Sequence, residues 1–319
     1  MTASPSTTEE GVAPSRRAWI GLAVLSAGLG MIVLDGTIVG VALPDIIRDL
    51  KMDLTDAQWV NSLYAVLLAA LLLSTGRLSD RWGRKRLFLI GIIIFMGGSL
   101  LAAMSIAARA VQAVGAALIM PSTLSTVNAT FRGKYRAAAF GVWGAVISGA
   151  AAVGPLAGGA LTQWGSWQWI FLVNIPLGAI VFIAALLTVP ETKGGKARPG
   201  ADVDGALLSA LGFGALVFAV IEGPDLGWWT PKSELHIFGM VWPTTAPISI
   251  VPIALLVAVV ALTLFVIWER HRAKVRRSAL LDLDLFLLPT FSWGNVTAAM
   301  VAVGEFTIPA LLGGADTLM

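Results

Sequence analysis

Apolar and polar positions do not alternate along this chain. Apolar residues gather into long unbroken runs, and nearly all the charges collect in the short stretches between them. At a rise of 1.5 Å per residue, about 20 apolar residues of helix cross the hydrocarbon core of a bilayer, so each run predicts a spanning helix. Nine such runs follow one another, at 18–43, 57–75, 87–104, 107–129, 137–162, 169–189, 205–222, 248–268 and 290–312. The first is longer than the apolar core of a signal peptide and has no small-x-small cleavage pattern behind it, so it is expected to be a retained span. Residues 1–17, rich in Ser, Thr, Pro and Glu, are expected to form a disordered tail.

Composition agrees with an all-α integral membrane protein. Hydrophobic residues make up 57% without counting 34 glycines, and charged residues only 13%, about half the soluble average. Cysteine is absent, which excludes disulfides, thiolate zinc sites and iron–sulfur clusters. His236 and His271 are the only imidazoles, too few for a histidine-rich metal centre. No metal is expected.

The basic residues orient the ladder. With the N-terminus cytoplasmic, 18 of the 22 Lys and Arg fall on the inner side, while only Arg48, Lys51 and Lys232 fall outside and Arg109 lies at the edge of a span. That asymmetry is a strong positive-inside signal. It explains the basic balance by contact with anionic lipid, and no nucleic acid is implied.

Three features call for chemistry. Between the second and third runs lies Gly76-Arg77-Leu78-Ser79-Asp80-Arg81-Trp82-Gly83-Arg84-Lys85-Arg86, in which glycines allow a tight turn and Asp80 sits among five cations. A plain topology signal needs neither the aspartate nor the paired glycines. Asp35 is about seventeen residues into the first run, where a carboxylate costs several kcal/mol unless it is paired, solvated or protonated. It is either functional or reaches out to the near interface. The fifth run carries Gly141, Gly144, Gly149, Gly154, Gly158 and Gly159, with Pro155 removing one backbone donor, and reads as a packing seam, a hinge or both.

Gly-x-Leu-x-Asp-Arg-x-Gly-Arg-Lys resembles the signature loop of the major facilitator superfamily. Further likenesses follow along the chain. Leu34-Asp35-Gly36-Thr37 with Ala42-Leu43-Pro44 is similar to the first-helix motif of its drug:proton antiporters with fourteen spans. Arg109-x-x-Gln112 with Gly115 resembles the fourth-helix motif, Gly154-Pro155 with Gly158-Gly159 the antiporter motif, and Trp169-Ile170-Phe171 with Asn174-x-Pro176-x-Gly178 the entry to the sixth helix. Ala113 stands where glycine is usual and Gln168 where arginine is usual.

The resemblance implies a six-helix N-terminal bundle at 18–189, a cytoplasmic linker at 190–204, two additional spans at 205–268, a basic cytoplasmic loop at 269–289 and the first helix of an incomplete C-terminal bundle at 290–319. It implies export of amphipathic small molecules from the cell across the plasma membrane by proton antiport, with a proton gradient instead of a cofactor, in a monomer surrounded by lipid. Asp35, Arg109, Gln112 and Glu305 are the expected coupling and cavity residues. Gly76, Asp80, Arg81, Gly83, Arg84 and Lys85 form the expected cytoplasmic gate, Asp80 pairing within its own loop or with a neighbouring helix. Gly154, Pro155, Gly158 and Gly159 form the expected hinge.

Other readings stay open. Arg109 is equally an interface anchor on its position alone, and Glu222 reads as interfacial. Trp228, Trp229 and Trp242 form a substrate lid or an interfacial belt. Fourteen spans are implied and nine are found, so the chain reads as a truncated member, for which coupled efflux by itself is not expected. A non-transporting fragment and an exporter of one metabolite or antibiotic are the alternatives. An enzyme has no support, since Gly-x-x-x-x-Gly-Lys-Ser/Thr, His-Glu-x-x-His and Gly-x-Ser-x-Gly runs are all missing.

Overall fold

The computed structural model describes residues 13–52, 54–194, 200, 202–237 and 240–300. Among them, eight helical crossings are long and apolar enough to span a membrane. They are α1 (Arg16–Leu50), α2 (Leu54–Trp82), α3 (Arg84–Ala102), α4 (Arg109–Thr130, preceded by a 3-10 turn at Ile106–Ala108), α5 (Lys134–Trp164), the pair α6 (Trp169–Leu172) and α7 (Asn174–Thr188), α8 (Val203–Leu226) and α9 (Ile250–Lys274). The chain is helical again over 289–300, where the ninth run begins. The rest of that run, Glu305 included, lies outside the described residues, as does the tail before residue 13.

Most helices outlast the apolar runs that predict them, and polar side chains cap the starts of α1, α8 and α9. Ser15 caps α1 by accepting from Ala18 N at 3.2 Å, and Lys51 ends it in the left-handed conformation. Pro44 is carried inside the helix instead of ending it. The sixth crossing breaks into two pieces at Val173, because Pro176 has no N–H to return to Leu172.

α1 packs on α5 and α7, α3 on α4 and α7, and α2 on α4, which closes a six-crossing bundle. Two of these approaches, α3 on α4 and α1 on α5, run through glycine. A Cβ at Gly115 would stand 2.5 Å from Phe95 N, one at Gly98 would stand 2.6 Å from Gln112 N, and one at Gly154 would overlap the Thr37 side chain. Backbones therefore meet where side chains are absent. Leu22, Leu25, Phe88, Ile92, Phe95 and Ile119 fill the core between α1, α3 and α4. Ile90, Ile93, Leu100, Ile180 and Ile183 are exposed on the outer faces, as helices bathed in lipid require.

The two additional crossings pair with each other, and α8 docks on α2. Between them, on the far side from the signature sequence, strands β1 (Leu235–Ile237) and β2 (Met240–Trp242) form a small antiparallel hairpin in the tryptophan-bearing segment. Trp228 and Trp229 are exposed there, and Trp242 Nε1 donates to Ile248 O at 3.1 Å. Glu222 is not interfacial in the simple sense. It is buried against α2, where Ser62 hydrogen-bonds its carboxylate.

Candidate functional site

Two polar constellations stand out in the bundle, one at its centre and one at the end where α2 meets α3.

At the centre, Asp35 is wholly buried and receives three side-chain donors. Arg109 Nη1 reaches Asp35 Oδ2 at 3.2 Å, while Gln112 Nε2 and Asn174 Nδ2 reach Oδ1 at 3.1 and 2.6 Å. Ser99 Oγ closes the ring, accepting from Gln112 at 2.7 Å and from Asn174 at 3.3 Å while donating to Phe95 O at 2.8 Å. Four crossings thus converge on one carboxylate. The sequence reading of Asp35 as snorkelling to an interface is excluded by its burial, and so is that of Arg109 as a surface anchor, since Arg109 is only 1% exposed.

The guanidinium of Arg109 lies 4.5 Å from the Tyr64 ring centroid and 5.7 Å from that of Phe171, so aromatic faces serve it on both sides. Its Nε and Nη2, the Tyr64 hydroxyl and Asn174 Oδ1 are buried without a hydrogen-bond partner among the described residues. This leaves donors and acceptors with no occupation beside an ion pair, the arrangement expected where a polar ligand group is received. Ser99, Tyr64 and Asn174 were not singled out by sequence, although Asn174 lies within the sixth-helix motif. The expected member Glu305 falls outside the described residues.

The antiporter-motif glycines sort by direction. Gly154 and Gly158 press on Thr37 and Ile38 of α1, two and three residues beyond Asp35. Among the described residues Gly159 meets nothing within 4 Å, and Pro155 is exposed. The motif therefore couples α5 to the stretch of α1 that bears the carboxylate, while its other face stays open.

At the end of α2, the expected eleven-residue loop is mostly helix. Gly76 to Trp82 complete α2, α3 starts at Arg84, and Gly83 alone makes the turn, at a φ of 116° that side chains rarely adopt. A glutamate from beyond α7 caps the new helix. Glu191 accepts from Lys85 N at 3.1 Å and Arg86 N at 3.3 Å, and a Cβ at Gly83 would collide with it. Asp80 accepts from Arg84 Nε at 2.9 Å and Nη2 at 2.7 Å, and Arg84 Nη1 donates onward to Ser125 O of α4 at 3.0 Å. Arg84, not Arg81, is the partner of Asp80 here. Arg81 turns away to Gly200 O at 3.1 Å, Lys85 Nζ donates to Leu186 O at 2.7 Å, and Gly76 lies against Pro121.

Comparison with known proteins places the chain in a family. The chain is 41% identical over 217 residues to the Methylenomycin A resistance protein of Bacillus subtilis, covering 66% of this chain and 46% of that protein. It is 38% identical over 290 residues to the Multidrug resistance protein Stp of Mycobacterium tuberculosis, covering 88% of this chain and 50% of the relative. The chain spans about half the length of the curated relatives it matches. Among solved structures, a bacterial homologue of the human lysosomal transporter Spinster, inward-facing and occupied, superposes with a TM-score of 0.51 at 20% identity, over 80% of this chain and 61% of that one. The sequence profile of the family matches residues 25–319, nearly every position of the bundle just described, and on that match the chain belongs to the Major Facilitator Superfamily.

Proposed function

We propose that this chain supplies the N-terminal half of a proton-coupled exporter of amphipathic small molecules, with Asp35 as the carboxylate for which proton and substrate compete. The observation that carries the reading is a fully buried Asp35 at the meeting of four crossings, compensated by one cation and two amides beside unoccupied donors. A buried acid so placed in a membrane bundle marks an ion or substrate path. Two relatives are named for drug or antibiotic resistance, which supports export as the direction of transport. The excess of Lys and Arg at the α2–α3 end supports a cytoplasmic side for that end and for the N-terminus, and export out of the cell implies a plasma-membrane location. In this family's alternating access, two six-helix halves rock about a midplane site.

The test is a chimaera in which this chain replaces the matching half of Stp. In everted vesicles it should accumulate an amphipathic cation such as tetraphenylphosphonium in the lumen when a proton gradient is imposed, and Asp35→Asn should abolish the proton dependence. Undiminished, pH-dependent export by Asp35→Asn would remove the assignment.

Within the same reading, the Asp80–Arg84–Ser125 chain is the lock of the cytoplasmic gate. Arg84→Ala severs all three of its hydrogen bonds and is expected to move the gate equilibrium by about 1–3 kcal/mol, with Asp80→Asn close behind. Arg81→Ala removes a single bond to Gly200 and is expected to act weakly. Single cysteines placed at the gate of the naturally cysteine-free chain, labelled from the cytoplasmic side of the chimaera, read the difference. Equal labelling in the Arg84→Ala and native proteins would reduce this corner to a topology signal.

A further inference from the structure

A third polar cluster lies at the foot of the additional helices, far from Asp35. Asp202 caps α8 by accepting from Gly205 N at 3.0 Å, and its Oδ1 also accepts from Trp268 Nε1 at 2.9 Å. Its Oδ2 is 3.2 Å from Arg272 Nε, which in turn donates to Ser278 O at 2.7 Å. Glu269 stands one helical turn before Arg272 on α9, is 1% exposed, and holds Leu281 N on its Oε2 at 3.1 Å.

The remaining oxygen is the anomaly. Glu269 Oε1 is buried with no hydrogen-bond partner among the described residues, and so is Asp202 Oδ2. A Cβ at Gly205 would meet Glu269 Oε1 at 2.6 Å and Asp202 Oδ1 at 2.7 Å, so glycine is what lets the two acids close on each other. Two acceptors make a hydrogen bond only if one of them carries a proton. With both acids ionised, the cluster would hold two anions and the single buried cation Arg272 out of water, and like charges at that range repel strongly.

We propose that Asp202 and Glu269 form a proton-binding site, separate from Asp35, whose occupancy latches the segment after α9 onto the gate-motif end of α2. The proton sits between Glu269 Oε1 and Asp202, leaving the pair with one negative charge opposite Arg272. The latch acts through the chain. Glu269 holds Leu281, Arg272 holds Ser278, and Ser278 Oγ receives Arg77 Nη2 of α2 at 3.4 Å. Leu280 and Leu281 then wall a cavity of about 550 Å³ whose other side bears Arg77 and Asp80. When the proton leaves, repulsion between the two carboxylates frees Leu281 and opens that wall. His271 lies against Trp268 at a ring separation of 6.0 Å, and Arg81 binds Gly200 near Arg272.

Hydrogen–deuterium exchange of the peptide 275–285, measured on the whole chain in lipid nanodiscs and divided by the intrinsic exchange rate at each pH, tests the latch. From about pH 5 to about pH 9, the range in which buried carboxyls titrate, the native chain should lose protection in one step. Through the step, exchange should accelerate by up to about tenfold per pH unit, as release of a single proton requires, and level off once the latched site has lost its proton. Glu269→Gln keeps the shape, stays neutral and donates to Asp202, so its protection should persist across the range. His271→Gln should leave the native step in place. Protection independent of pH in the native chain, which needs no variant to fold, would overturn the proposal, as would a step that survives in Glu269→Gln or vanishes in His271→Gln.

Discussion

Arg109→Leu is expected to destabilise the chain by about 3–5 kcal/mol, the scale for removing one member of a buried ion pair and leaving its partner charged. The cost falls on Asp35, which would keep its amide donors from Gln112 and Asn174 but lose its cation at 3.2 Å in a site closed to water. Asp35→Asn should be milder, because a neutral amide needs no counter-ion, although it strands the guanidinium between Tyr64 and Phe171. The informative variant is the double one. With both charges gone, most of the Arg109→Leu loss should return, and a double-mutant cycle of unfolding in detergent should show coupling well beyond the usual spread of independent sites. If Arg109→Leu costs less than about 1 kcal/mol, the pair contributes no more than a surface ion pair and the central cluster is not the stressed site described here.

Gly115→Ala should be nearly as severe for a reason that involves no charge. The added methyl would meet Phe95 N at 2.5 Å and Gly91 O at 2.8 Å, both backbone atoms of α3, so no side chain is available to move aside. The helices must separate, and overpacking of this kind costs about 1–3 kcal/mol and sometimes more. Separation also draws Gln112 away from Ser99 and Asp35, so that loss of stability and loss of ligand response should appear together. Gly144→Ala and Gly149→Ala on α5 serve as controls. Among the described residues nothing lies within 4 Å of either position, and changes within about 0.5 kcal/mol are expected there. Melting temperatures of the four proteins in one detergent decide the comparison.

Much of this molecule was legible in its residues, and what was missed has identifiable physical causes. Apolar length alone located the crossings, because a bilayer imposes one helix length whatever the partners. Asp35 stood out because a carboxylate deep in an apolar run has few structural excuses. Its neighbours did not stand out, since Ser99 is an unremarkable small residue in an apolar run and Tyr64 is one of two tyrosines with no local pattern to mark it. Only folding brings α1, α2, α3, α4 and α7 to one point.

The glycines of the signature sequence suggested a loop, but Gly76 is accommodated inside α2, where it fits against Pro121, and only Gly83 breaks the helix. Arg81 and Arg84 were indistinguishable as cations in a string. The turn at Gly83 settles the matter, because it starts α3 with Arg84 facing back onto Asp80, while Arg81, still on α2, reaches Gly200. The Asp202–Glu269–Arg272 cluster was invisible for a different reason. Its members lie in segments that read as a linker and as a basic cytoplasmic loop.

The central claim, that one buried carboxylate exchanges a proton for substrate, is tested most directly by counting protons. In weakly buffered solution at a pH low enough to protonate Asp35 in the free protein, binding of tetraphenylphosphonium to the purified chimaera should release about one proton per bound cation, and Asp35→Asn should bind with no release. Binding by the native protein without proton release, or equal release from Asp35→Asn, would contradict the account.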